Sequence, residues 1–122
     1  MSLILLIDDD DSLRKMLRLT LTHFGHSVQE ACNGKEAMLM FAKTPPDLVL
    51  TDLVMPEQEG IETITAIRRI SPKMKIIAMS GGGRGSATDY LQMAKALGAN
   101  CVLEKPFSNE ALASAISEAL AA

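Results

Sequence analysis

Two periods of apolar residues alternate along this chain, and that alternation constrains its fold more than any other feature. Leu3-Ile4-Leu5-Leu6-Ile7 is a short unbroken apolar run, as expected of a strand covered on both faces. Leu13, Met16, Leu17, Leu21 and Phe24 then recur at helical spacing and stop at Gly25. The exchange of periods repeats. Ser27-Val28-Gln29-Glu30-Ala31 is a weaker strand candidate, followed by a helical stretch through Ala37, Met38 and Phe41 that Pro45-Pro46 ends. Leu48-Val49-Leu50 is a third strand, and a loop around Pro56 and Gly60 opens a helix carrying Ile61, Ile64 and Ile67. Ile76-Ile77-Ala78-Met79 is a fourth strand, followed by a glycine run and a helix through Leu91, Ala94 and Leu97. Cys101-Val102-Leu103 is the fifth strand, and Ser108 is a natural N-cap for a last helix with Leu112, Ile116 and Leu120. Five strand-then-helix repeats call for a parallel sheet with helices on both faces. The chain of 122 residues fits one such α/β domain, residues 1–122.

In an open parallel sheet, sites form beyond the carboxyl ends of the strands. The first strand ends in Asp8 and Asp9, the third in Asp52, the fourth in Ser80 and the fifth in Lys105. Four of five strands thus deliver a charged group or hydroxyl to one rim. Three carboxylates brought together repel one another unless something positive joins them. One lysine and a divalent cation would neutralise the set, and a hard cation with oxygen ligands and retained waters, Mg2+, suits it. Such a site also suits phosphoryl transfer, with Asp52 as nucleophile and the positive charges on the phosphoryl oxygens.

Leu6-Ile7-Asp8-Asp9-Asp10, Asp52-Leu53-Val54-Met55-Pro56, Ala78-Met79-Ser80 and Lys105-Pro106-Phe107 together resemble the signature blocks of the receiver domain of bacterial two-component response regulators. Each block alone is weak, but four in register over essentially the whole chain are specific. The resemblance implies a flavodoxin-like, doubly wound sheet of five parallel strands in the order 2-1-3-4-5 with five helices. It implies Asp52 as acceptor of a phosphoryl group from a sensor histidine kinase or histidine phosphotransfer protein. It implies Asp8, Asp9, Asp52 and the backbone carbonyl of Val54 as Mg2+ ligands, and Ser80 and Lys105 as phosphoryl-binding switch residues. The bond from Lys105 to Pro106 is expected to be cis. The kinase or phosphotransfer protein is expected near the first helix and the site loops. An output protein or domain, or a second receiver, is expected on the face of the fourth helix, fifth strand and fifth helix.

The chain departs from the family pattern at three places. The position three before the lysine usually carries an aromatic ring, and here it is Val102, a possible switch position with no ring to turn. The run Gly81-Gly82-Gly83-Arg84-Gly85 is longer than usual, so this loop and the helix after it are expected to carry the switch through a change of order. Val54 cannot hold an attacking water as a polar side chain there would, and slow self-dephosphorylation is expected. An alternative class is the Mg2+-dependent phosphatase of haloacid-dehalogenase type, which typically needs a second Asp where Val54 stands. Another is a receiver-like docking module that is never phosphorylated. In the receiver reading the chain is no enzyme and assists only its own phosphorylation and dephosphorylation.

Composition excludes other roles. A net charge of −3 argues against nucleic-acid binding through a basic surface. The opening apolar run is far shorter than the ~20 residues of a membrane helix and lacks the basic start of a signal peptide. A cytoplasmic protein is expected. Cys32 and Cys101 read as reduced thiols packed as small hydrophobes. The eight methionines, mostly at core spacing, read as gap-fillers.

Overall fold

A computed structural model describes residues 2–53, 59–81, 92 and 95–121. Burial of the central strands on both faces sets its architecture. The elements run β1 (Leu3–Ile7), α1 (Asp11–His23), β2 (Ser27–Ala31), α2 (Gly34–Lys43), β3 (Leu48–Asp52), α3 (Glu59–Ile70), β4 (Lys75–Gly81), β5 (Cys101–Lys105) and α4 (Asn109–Ala121). The five strands form one sheet in the order β2-β1-β3-β4-β5, with every pair parallel. Ile4, Leu6, Leu48, Leu50, Ile77 and Met79 point to one face and meet Leu17, Leu21, Leu112 and Ile116 of α1 and α4. Leu5, Ile7, Val49, Ile76 and Ala78 point to the other and meet Ala37, Phe41, Ile64 and Ile67 of α2 and α3. Successive strand residues face opposite sides, so a sheet covered twice has apolar runs without polar interruptions.

The helix starts are set by short polar side chains. The Asp10 carboxylate accepts the Leu13 N–H at 3.1 Å, the Asn33 side chain accepts the Glu36 N–H at 2.8 Å, and Ser108 Oγ accepts the Ala111 N–H at 3.0 Å. Four helices stand among the described residues, and the expected helix through Leu91, Ala94 and Leu97 lies largely outside them. β4 runs on past Met79 through Ser80 to Gly81, longer than its apolar run, because Ser80 and Gly81 pair with Glu104 and Lys105. β2 is a half-buried edge strand, in keeping with its weak signal. Met79 is buried, but Met16 is 55% exposed, so it fills no core gap. Cys101 packs at the margin of the core, whereas the Cys32 thiol faces the Glu36 carboxylate at 3.5 Å. That hydrogen bond and partial burial raise the Cys32 pKa. Among the described residues no helix is long and apolar enough to cross a membrane.

Candidate functional site

The site lies where the register of the sheet runs out. Asp8 follows β1 directly and is fully buried, with its N–H on the Ala31 carbonyl at 3.1 Å. Its Oδ1 accepts the Asp10 N–H at 3.0 Å, and its Oδ2 lies 3.4 Å from Lys105 Nζ. Asp52 is the last residue of β3, 5% exposed, and its Oδ2 is also 3.4 Å from Lys105 Nζ. Lys105, the last residue of β5, therefore bridges two carboxylates that belong to different strands. Asp9 is exposed, and its carboxylate has no partner among the described residues. Asp8, Asp9 and Asp52 each offer an oxygen, all within 4.8 Å of one another.

Three acids around one lysine leave a net negative pocket of hard oxygen donors. With Mg–O distances of about 2.1 Å, two oxygens on one ion are at most about 4.2 Å apart, so this set needs only a small side-chain adjustment to share one. The donors fit Mg2+ on that ground. Ser80 Oγ, fully buried beside this rim, makes no hydrogen bond among the described residues. A buried hydroxyl without a partner is costly, and it stands ready to donate to an incoming oxygen. Val54, expected to add a carbonyl, lies outside the described residues, as does the loop from 82. Val102 sits on β5 opposite Ala78, half-buried against the α2/α3 side of the core. The Lys105–Pro106 peptide is cis. A groove of about 530 Å³ opens beside the lysine, lined by Leu13, Met16, Leu17 and Thr20 of α1 and by Pro106, Phe107 and Asn109.

Two residues not expected at the site from the sequence support this rim. Gly60, in the first turn of α3, lies against the backbone of the acceptor strand. A Cβ there would sit 2.7 Å from Leu53 Cα and collide with the Asp52 carbonyl oxygen. Arg14 of α1 donates from Nη1 to the Asp8 carbonyl at 2.7 Å, from Nε to Glu30 at 3.3 Å and from Nη2 to Asp11 at 2.6 Å. Burial works against its charge, and the hydrogen bonds and charges of Asp11 and Glu30 outweigh it and raise its pKa. A lone arginine in an amphipathic helix has no distinctive spacing. Glu30 near the end of the second strand was the nearest available signal.

The model of the response regulator receiver domain matches residues 4–117. The chain belongs to that family, a class of two-component signalling regulators. It is 35% identical over 116 residues to chemotaxis protein CheY of Thermotoga maritima, covering 94% of each chain. It is 37% identical over 117 residues to transcriptional regulatory protein GlrR of Escherichia coli, covering 96% of this chain but 26% of that one. A solved receiver domain protein from Clostridium thermocellum superposes with a TM-score of 0.91 at 29% identity, covering 99% of this chain and 95% of that one. The sheet order is the one expected, and the match over nearly the whole chain favours this family over the phosphatase alternative.

Proposed function

We propose that this receiver is switched by phosphorylation of Asp52. The observation that carries the reading is the Asp52 carboxylate at the end of β3, nearly buried and 3.4 Å from Lys105, with two further carboxylates inside one ligand-sized cluster. In the forward step an Asp52 oxygen attacks the phosphorus of a phosphohistidine. The P–O bond forms as the P–N bond breaks, and the imidazole leaves with the bond's electron pair and takes up a proton. Lys105 turns from the carboxylates to the phosphoryl oxygens, and Ser80 donates its unused hydroxyl proton to one of them. Asp8, Asp9, Asp52 and the Val54 carbonyl would hold Mg2+, which would supply positive charge beside the transferring group. Val102 gives the switch no ring to turn.

The donor is a sensor histidine kinase or a histidine phosphotransfer protein, for which the groove between α1 and Phe107 lies next to the site. The output is a partner protein, an output domain or a second receiver on the face of the expected fourth helix, β5 and the last helix, in the cytoplasm, with neither nucleic acid nor membrane bound by this domain. The chain acts on no substrate but itself.

Incubation with Mg2+ and acetyl phosphate is expected to add one phosphoryl group by intact mass, and EDTA is expected to prevent it. Asp52→Ala is expected to take none. Transfer that persists in Asp52→Ala would sink the reading.

A further inference from the structure

Asp9 is the least restrained member of the acidic cluster. Asp8 is held at its N–H, its carbonyl and both carboxylate oxygens, whereas Asp9 is exposed and its carboxylate is unpartnered among the described residues. The position of the Asp9 side chain therefore depends on the backbone that carries it. The Asp8 carbonyl and the Asp9 N–H belong to one planar peptide unit, so a group that fixes that oxygen also fixes the plane from which Asp9 departs.

Arg14 is that group. Its Nη1 donates to the Asp8 carbonyl, and its Nε anchors on Glu30. The side chain is only 15% exposed. Its contact with Asp11, whose side chain is 85% exposed, is short but solvent-screened and contributes little. Glu30 is different. It lies near the carboxyl end of β2, paired with Leu6 of β1, at 28% side-chain exposure, and a second arginine, Arg18, reaches its other oxygen at 3.5 Å. The guanidinium thus spans from a strand carboxylate to the peptide plane between two acids of the cluster. A planar fork holds both contacts in one fixed geometry, which a rotating ammonium on a flexible stem does not.

We propose that Arg14 is a positioning residue for the cation site, holding the Asp8–Asp9 peptide plane so that Asp9 reaches the ion that Asp8 and Asp52 share. The proposal rests on the cation site described above. Mg2+ is titrated calorimetrically into unphosphorylated wild type, Arg14→Ala, Arg14→Lys and Asp9→Asn, with a thermal melt of each. Arg14→Ala is expected to bind Mg2+ about tenfold more weakly, in the range found when groups orienting metal ligands are removed. Arg14→Lys is expected to recover part of that loss, and excess Mg2+ to restore phosphorylation in both. A purely structural role would lower the melting temperature and leave the Mg2+ affinity of the folded protein unchanged. That result in Arg14→Ala, with affinity lost in Asp9→Asn, overturns the proposal and leaves the cation site standing. Wild-type affinity in Asp9→Asn as well means the cation reading itself has failed. Should Arg14→Ala not fold, Glu30→Gln decides: it keeps Arg14 but removes the charge that anchors it. A several-fold loss of Mg2+ affinity there supports the proposal, and unchanged affinity overturns it.

Discussion

A methyl group at position 60 would have nowhere to go, because the atoms it meets are the backbone of Asp52 and Leu53 and cannot rotate away. Gly60→Ala is expected to destabilise the protein by about 2 kcal/mol, within the range for overpacked sites, and to lower phosphorylation by displacing the acceptor. Urea denaturation and phosphoryl incorporation measure the two effects. An unchanged midpoint would show that the start of α3 can slide off the acceptor strand. The placement of Asp8, Asp52, Ser80 and Lys105 was legible in the sequence because each stands within two residues of the end of an apolar run. Gly60 and Arg14 were not, because they act on main-chain oxygens, which leave no trace in residue type. Arg14 reaches its anchor 16 residues along the chain, on a strand whose own signal was weak.

Among the described residues, Arg68 makes the most concentrated set of bonds between elements. From the last turn of α3 it donates to the carbonyls of Ser71, Pro72, Met74 and Gly98 and to the Asn100 side chain. Burial lowers its pKa, and no carboxylate pairs with it among the described residues. Gly98 leaves the room it needs, since a Cβ there would lie 2.8 Å from Nε. Asn100 Oδ1 also accepts the Ile76 N–H at 2.8 Å, so this knot secures the entrances to both β4 and β5. Arg68→Ala is expected to cost about 2 kcal/mol in thermal unfolding, as for hydrogen bonds to a charged group. Arg68→Lys is expected to recover less than half, for want of the fork. A loss below about 0.5 kcal/mol would mark the knot as ornamental, since surface substitutions fall in that range. The order of elements was legible because the apolar period changes at each boundary. This knot was not, because it joins residues 30 apart through carbonyls.

For the molecule as a whole, the acidic cluster should set stability against the cation. Asp8 and Asp52 are buried, and Asp9 adds a third negative charge within 4.8 Å. In EDTA, Asp9→Asn is expected to stabilise the fold by about 1 kcal/mol through relief of repulsion. Mg2+ is expected to raise the melting temperature of the wild type, as any ion bound by the folded state alone would, and to raise that of Asp9→Asn much less. Parallel curves for the two proteins, with and without the ion, would refute this. The charge balance behind it was legible from the residues alone, whereas the double contact of Lys105 needed the sheet.

That double contact also bears on how the protein is made. Asp8 and Lys105 are 97 residues apart and meet only across a finished sheet. Pairings between distant segments form slowly and late. A chain emerging in order from the ribosome would bring Asp8 and Asp52 together once β3 docks, while their counter-charge is still to be synthesised. Until β5 arrives, the half-built sheet would bring these two acids together at its rim without the lysine that bridges them, and an early intermediate of this kind should be favoured by magnesium from the cell.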